Sequence, residues 1–257
     1  MGKVYLIGAG PGAADLITVR GMRLLERADV VLHDALIEPA MLDYASHAKK
    51  IAVGKRCGQR STAQHFINKQ IVDAALEHAV VVRLKGGDPM LFGRADEEMR
   101  ALEAAGIEFE VVPGITAALA SAAALQRSLT LRGVARSVAL ATHSRAAQSD
   151  EIREHARADS LVFYMGRDSA PEIAQQLIDA GRDGATPVAI VEACSTSRER
   201  TLTLTLARMA LGEAQEWLDP AQPSLLMIGE AFRERASSAS SSSPKPKVHL
   251  KGIQAAA

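Results

Sequence analysis

Two glycine-rich segments contain the residues of this chain best suited to holding a ligand. The first is Gly8-Ala9-Gly10-Pro11-Gly12, and the second is Lys85-Gly86-Gly87-Asp88-Pro89. Glycine permits positive φ and lets a ligand approach the backbone where a Cβ would collide, and Asp88 adds a carboxylate to the second segment. Such turns also join strands to helices without binding anything, so either segment alone leaves both possibilities open.

The first segment also has the spacing of a dinucleotide-binding turn. Gly8-x-Gly10-x-x-Ala13 follows an apolar run, and Asp34 comes about where a ribose-binding acid is expected. Pro11 argues against this interpretation, because proline has no N–H to offer a pyrophosphate. An NAD-type oxidoreductase therefore remains an alternative, although such an enzyme does not need the second Gly-Gly-Asp turn.

Each glycine-rich segment follows a run of residues typical of a buried strand. Val80–Leu84 is apolar and β-branched except for Arg83, and Lys3–Ile7 precedes the first segment in the same way. Such runs are typical of parallel strands that are covered on both faces. Open α/β sheets bind ligands at the carboxyl ends of their strands, which is where both segments lie.

The remaining pattern predicts alternating strands and helices, and hence two α/β domains. We predict a mostly parallel sheet in residues 1–114, a mixed sheet in residues 115–235 and a disordered serine-rich tail in residues 236–257. Predicted capping boxes begin helices at Ser61 and Ser169. The other predicted strands are Val30–His33, Lys50–Val53, Phe109–Val112, Ser137–Thr142, Ser160–Tyr164, Pro187–Val191, Thr201–Leu206 and Ser224–Ile228. The other predicted helices are Thr18–Ala28, Glu38–Tyr44, Asp96–Ala105, Ile115–Leu125 and Ala207–Trp217.

Composition narrows the classes of function. The 257 residues are 47% hydrophobic, as expected of a folded protein, and 30 basic and 30 acidic residues give a net charge of zero. Nothing in this balance favours nucleic acid or a membrane surface as a partner. Cys57 and Cys194 lack metal-binding spacing, so no metal is expected. The chain enters a strand almost at once, without a leader-like segment, which predicts a cytoplasmic protein.

Several motifs, taken in chain order, resemble those of the tetrapyrrole methylases. They are GAGPG, LITVRG, VVLHD, VGKR, RLKGGDPMLFGR, VVPGITAA, LVFYMG and VAIVE. GAGPG is common to the whole group, whereas RLKGGDP-x-x-FGR together with VGKR is similar to the uroporphyrinogen-III C-methyltransferase branch. The resemblance extends over roughly residues 3–230, which is nearly everything except the tail.

The resemblance implies a fold and an activity. It implies two α/β domains with the active site between them, and a homodimer. It also implies that S-adenosylmethionine donates methyl groups to two pyrrole carbons of uroporphyrinogen III, giving precorrin-2 by way of precorrin-1. The product would serve sirohaem-type or cobalamin-type tetrapyrrole biosynthesis. No oxidase or ferrochelatase domain is recognised in the sequence, so we expect methylation alone.

The same resemblance assigns roles to individual residues. Asp34 and Lys55 fall on the family's acid–base pair; the alternatives are a helix cap for Asp34 and a surface charge for Lys55. Local clusters of basic residues would hold the substrate carboxylates: Lys55, Arg56 and Arg60 in one, Arg132 and Arg136 in the other. The positions implied for donor binding are Pro11, Gly86, Gly87, Asp88, Leu91, Thr116, Ala117, Met165 and Cys194.

The chain departs from the common family pattern in three places. Ala13 replaces an acid after GPG, Ala35 replaces an arginine after the Asp34 position, and Leu131 lies in a segment that usually reads LTHRD. The departures affect substrate handling rather than donor binding. They leave two alternatives open: a divergent subgroup of this branch, and a paralogue acting on a different precorrin. A regulatory homologue that binds the donor without turnover is a further alternative.

Overall fold

Two five-stranded sheets organise the part of the chain that the computed structural model describes, namely residues 1–53, 64–143, 152 and 155–234. The first sheet has the order β3-β2-β4-β1-β5, and all of its described pairings are parallel. Its strands are β1 (Lys3–Gly8), β2 (Val30–His33), β3 (Lys49–Ala52), β4 (Val80–Lys85) and β5 (Phe109–Val112).

Helices cover both faces of this sheet. They are α1 (Val19–Leu25), α2 (Pro39–Leu42), α3 (Gln64–Glu77) and α4 (Ala95–Ala104). The first two pack on one face and the last two on the other. This separation follows from the right-handed rule for parallel crossovers, because the chain moves one way along the sheet from β1 to β3 and the other way from β3 to β5.

The reversal of direction places a topological switch point between β1 and β4. These two strands are neighbours, with Lys3 opposite Val80 and Gly8 opposite Lys85. The connections that leave them run in opposite directions along the sheet. A crevice therefore opens outside their carboxyl ends, which is the usual ligand site of such sheets.

The second sheet has the order β6-β7-β10-β8-β9 and is mixed, as the sequence predicts. Only the β6–β7 pairing among those described is parallel. One face packs against α5 (Ala117–Leu125), and the other packs against α6 (Ala170–Asp179) and α7 (Leu206–Ala210). The strands are β6 (Val138–Thr142), β7 (Ser160–Tyr164), β8 (Pro187–Glu192), β9 (Arg200–Thr205) and β10 (Ser224–Ile228).

Two local predictions are wrong. The helix predicted to reach Trp217 ends at Ala210, because Gly212 follows with a φ of +82°, as is typical of the residue after a helix end. Ser169 precedes α6, but its side chain makes no capping hydrogen bond. Ser61 lies outside the described residues. No helix in the described ranges is long and apolar enough to cross a membrane.

Candidate functional site

The two glycine-rich segments meet at the switch point and are joined backbone to backbone. The N–H of Gly10 donates to the carbonyl of Gly87 at 3.1 Å, and the N–H of Gly87 donates back to Gly10 at 2.7 Å. Ala9 donates to Lys85 at 2.8 Å. We call Gly8–Gly12 and Gly86–Asp88 the paired turns, because these bonds make them one continuous surface at the carboxyl ends of β1 and β4.

The paired turns need glycine because a third backbone segment lies against them. A Cβ on Gly114 would lie 2.3 Å from the carbonyl oxygen of Gly87, and a Cβ on Gly8 would lie 2.6 Å from the Cα of Gly114. Asp88 holds this segment in place, since its Oδ2 accepts from the N–H of Gly114 at 2.8 Å. Its Oδ1 accepts from the N–H of Met90. The Asp88 carboxylate therefore shapes the turn.

Gly86 and Gly87 leave space on the opposite side. Among the described residues, and apart from the adjoining chain, no atom lies within 4 Å of the position that a Cβ on Gly86 would take, and only the Cα of Thr116 comes as near as 4.0 Å to that of Gly87. Gly87 has a φ of +68°, which an L side chain rarely adopts. The open side is thus a bare backbone surface that a ligand can approach closely.

A second group of residues faces the paired turns from the other sheet. Tyr164 ends β7, and its hydroxyl lies 2.5 Å from Oγ1 of Thr116 and accepts from the N–H of Ala118 at 3.1 Å. Its ring packs 5.1 Å from that of Phe92. Burial raises the pKa of the Tyr164 hydroxyl, so this group holds the start of α5 as a neutral phenol. Met165 follows with 68% of its surface exposed.

The loop after β8 completes the arrangement. A Cβ on Gly12 would lie 2.7 Å from Cγ2 of Thr196 and 2.9 Å from the carbonyl oxygen of Cys194. The N–H of Ala13 donates to Oγ of Ser195 at 3.0 Å. Cys194 is buried, and burial raises the pKa of its thiol. The first turn therefore touches the second sheet's loop through main chain and short side chains.

The structure thus brings the nine predicted donor-binding positions around one crevice. Ala117 begins α5 directly after Thr116, and the N–H of Leu91 donates to the carbonyl of Asp88. The positions gathered there are Pro11, Gly86, Gly87, Asp88, Leu91, Thr116, Ala117, Met165 and Cys194. Their roles in binding stay predictions.

Asp34 lies at the carboxyl end of β2, at the same end of the first sheet as the paired turns. Its Oδ1 accepts a hydrogen bond from Nη2 of Arg83 at 2.5 Å, and its side chain is 31% exposed. Glu38, rather than Asp34, precedes α2. The geometry therefore favours an ion-paired carboxylate over the helix-cap alternative.

Arg83 belongs to a buried cluster of charges that sequence reasoning did not assign to the site. The side chains of Arg83, Lys85 and Glu98 are at most 4% exposed. Glu98 accepts from Nε of Arg83 at 3.0 Å and from Nζ of Lys85 at 2.9 Å. Burial lowers the pKa of Arg83, but the carboxylates of Asp34 and Glu98 together raise it by more, so the net shift is upward. The pKa of Lys85 is lowered, first by burial and then by the charge of Arg83.

Only two of the predicted substrate-binding residues, Arg132 and Arg136, lie within the described residues. Lys55, Arg56 and Arg60 lie outside the described residues. Arg132 is exposed in a tight hairpin closed between Leu131 and Ala135. Arg136 precedes the amino end of β6, where its N–H donates to Asp159, whereas Met165 follows the carboxyl end of the parallel neighbour β7. Within the described ranges, no three His, Cys, Asp or Glu side chains cluster as a metal site would need.

Comparison with known proteins identifies the family. The family model for Tetrapyrrole (Corrin/Porphyrin) Methylases matches residues 3–210. A siroheme synthase of Stutzerimonas stutzeri is 46% identical over 241 residues, which are 91% of this chain and 51% of that protein. The chain spans about half the length of the curated relatives it matches.

Solved structures show the same relationship. A uroporphyrin-III C-methyl transferase from Thermus thermophilus, complexed with S-adenyl homocysteine, is 39% identical with a TM-score of 0.79; the match covers 90% of this chain and 94% of that one. A cobalt precorrin-4 methyltransferase is 27% identical with a TM-score of 0.78, covering 90% and 96% of the two chains. The fold and the matched length together place this chain among the tetrapyrrole (corrin/porphyrin) methylases.

Proposed function

We propose that this chain methylates uroporphyrinogen III at two pyrrole carbons, using S-adenosylmethionine and giving precorrin-2 by way of precorrin-1. The observation that carries the proposal is the open backbone of Gly86 and Gly87 at the switch point, joined to the Gly8–Gly12 turn. The proposal is supported by the similarity to the Thermus thermophilus uroporphyrin-III C-methyl transferase complexed with S-adenyl homocysteine, which covers 90% of this chain and 94% of that one.

The residues of the crevice suit this donor. A bound S-adenosylmethionine would supply an electrophilic methyl group on a positively charged sulfur. The paired turns offer carbonyl oxygens and close backbone approach, with Asp88 fixing the turn through the N–H groups of Gly114 and Met90. Thr116, held by Tyr164, and the exposed Met165 would bound the donor from the second sheet. Most of the contribution is orientation, which can supply up to about 7–11 kcal/mol of a barrier.

Asp34 is the proposed base. Adding a methyl to a pyrrole carbon leaves a cationic ring, which becomes neutral when it loses a proton. Arg83 binds Oδ1 of Asp34, and the described residues make no hydrogen bond to Oδ2, so this oxygen is available. Lys55 would act as the partner acid or bind a substrate carboxylate. Arg56, Arg60, Arg132 and Arg136 are proposed to bind the remaining carboxylates.

The setting of the enzyme follows from the family resemblance. We propose that the chain acts in the cytoplasm as a homodimer, and that its product enters sirohaem-type or cobalamin-type biosynthesis. Methylation is proposed as the activity of this chain, which spans about half the length of the siroheme synthases that it matches.

The deciding experiment incubates the protein with uroporphyrinogen III and S-adenosylmethionine and follows the product by mass and absorbance. We expect successive products carrying one and two added methyl groups. Absence of both products, with intact donor binding, would exclude this substrate and favour another precorrin, which is then tested in the same assay. The departures from the family pattern at Ala13, Ala35 and Leu131 are the reason for testing another precorrin.

The oxidoreductase alternative is tested separately by calorimetry with S-adenosylhomocysteine and with NADH on one sample. We expect the first to bind and the second not to bind, because Pro11 removes an N–H from the turn that a pyrophosphate would need. Binding of NADH alone would contradict the methylase assignment of the crevice.

A further inference from the structure

The buried charges beneath the paired turns form a connected chain that ends at Asp34. Arg83 and Lys85 are two residues apart on β4, so their side chains leave the same face of the sheet. That face is covered by α4, which supplies Glu98. Each of the two cations bonds to Glu98, and Arg83 alone extends to Asp34 across the neighbouring strand β2.

All three nitrogen atoms of the Arg83 guanidinium donate hydrogen bonds to described residues. Nε donates to Glu98 at 3.0 Å, Nη1 donates to the carbonyl of Leu84 at 3.1 Å, and Nη2 donates to Asp34 at 2.5 Å. A planar fork with bonds in three directions has a fixed orientation. The orientation of the Asp34 carboxylate is fixed in turn, because one of its oxygens is bound to that fork.

Stability alone is a weak reason for such a cluster. Removing charges from water is costly, and well-packed apolar residues of similar volume often stabilise a fold as well or better. The cluster holds two cations and two anions, and only Asp34 is substantially exposed. The arrangement therefore balances buried charge while presenting one carboxylate to the crevice.

We propose that Arg83 is a positioning residue that orients Asp34 for proton removal, and that Glu98 and Lys85 hold Arg83 in place. This inference rests on the proposed function. In the step concerned, a bond to hydrogen breaks in the cationic methylated pyrrole, its electron pair neutralises the ring, and the proton goes to Asp34. Arg83 keeps its proton throughout and acts only by holding the carboxylate.

The test is a double-mutant cycle of Arg83→Lys and Asp34→Asn, read by single-turnover methylation of uroporphyrinogen III. Lysine keeps the charge but cannot bond to Glu98, Leu84 and Asp34 together. We expect Arg83→Lys to lower the rate by up to about 100-fold, as misplacement of a reacting group does. Affinity for S-adenosylhomocysteine should stay within about threefold, because the paired turns are untouched. In the Asp34→Asn background, the same change should lower the rate by less than about threefold, because residues that act as a unit are not additive.

Two further variants separate positioning from folding. Glu98→Gln keeps the shape of the side chain that holds Arg83. It replaces Arg83→Lys in the double-mutant cycle if Arg83→Lys does not fold. Arg182→Lys is the matched control: Arg182 is a half-buried arginine that donates to the backbone carbonyls of Ala156 and Ala158, far along the chain from the first sheet. We expect it to lower the melting temperature without changing the methylation rate.

The outcomes are distinct. A wild-type protein that makes no methylated product contradicts the proposed function itself. An active wild type in which Arg83→Lys or Glu98→Gln lowers the rate equally with and without Asp34 contradicts the positioning role. Full activity of a folded Arg83→Lys variant contradicts it too. Loss of the effect in the Asp34→Asn background supports it.

Discussion

The two sides of the crevice are built by different means. On the side of the first sheet, glycine backbones touch one another, and a Cβ at Gly8 or Gly114 has no room. On the side of the second sheet, three residues with side chains adopt the left-handed backbone region that favours glycine. They are Met165, Ala193 and Ser195, with φ values of 54°, 49° and 62°.

The difference shows what each side contributes. At Gly86 and Gly87 the first side provides bare backbone, so binding there depends on the absence of side chains. The second side keeps its side chains at a cost of roughly 1–2 kcal/mol for each left-handed residue. Its loop is held by the bonds from the N–H of Ala193 to Pro223 at 2.8 Å and from that of Ser195 to Glu199 at 2.6 Å. Side chains added to the first side should remove binding, whereas glycine added to the second should relieve strain.

The largest effect is expected from Gly87→Leu, which places a branched side chain on the bare backbone. Donor binding should be abolished while the protein stays folded, because the Cβ position itself is uncrowded. Gly106→Leu is the matched control, since Gly106 has a nearly equal φ of +66° and equally open surroundings after α4. Calorimetry with S-adenosylhomocysteine and thermal melting of both variants provide the measurement. Normal donor binding by Gly87→Leu would show that the pocket lies elsewhere.

The next prediction distinguishes a chemical role of Asp34 from a structural role of Asp88, both on the first side of the crevice. Asp34→Asn should keep donor affinity and lower single-turnover methylation by about 10²–10⁴-fold, the usual contribution of a positioned general base. Asp88→Asn should instead weaken donor binding, because both oxygens of Asp88 accept from backbone N–H groups of the turn. Near-normal turnover in Asp34→Asn would remove the base assignment, and lost donor affinity would make Asp34 part of the donor pocket.

A smaller effect is expected on the second side from Tyr164→Phe. The change removes the hydroxyl that binds Thr116 and Ala118, at a cost of about 1–3 kcal/mol in stability when a partner is left unsatisfied. Donor affinity should fall by up to about tenfold, which corresponds to 1.4 kcal/mol. Tyr44→Phe is the control, because Tyr44 packs with α1 and α2 against the first sheet. Equal donor affinity in Tyr164→Phe and wild type would show that the Thr116 contact does not shape the pocket.

The smallest effect is expected from Ala193→Gly. Relief of left-handed strain should outweigh the added freedom of glycine in the unfolded chain and raise the free energy of unfolding by up to about 1 kcal/mol. Gln126→Gly, at the left-handed end of α5, should behave in the same way outside the crevice. Denaturant unfolding of both variants measures the change. A destabilised Ala193→Gly beside a stabilised Gln126→Gly would mean that the Ala193 side chain supports the second side.

Local sequence was sufficient for most of the elements. Val30–His33, Phe109–Val112, Ser160–Tyr164 and Ser224–Ile228 begin and end where apolar periodicity predicts. The type of each sheet was also predicted correctly, mostly parallel in the first domain and mixed in the second. The end of α7 was missed, since the pattern of apolar residues continues past the glycine that stops it.

The site shows the limit of such reasoning. The sequence by itself determined the two glycine-rich turns, the family motifs and the carboxylate at Asp34, because each depends on residue type and short-range spacing. Only the tertiary structure decided that Gly10 bonds to Gly87, that Gly8, Gly87 and Gly114 touch, and that Ser195 meets Ala13. It also decided that Arg83, an exception within an apolar strand, connects Glu98 to Asp34. The reason is physical: these contacts join residues far apart in the chain, and strand order and register set their distances.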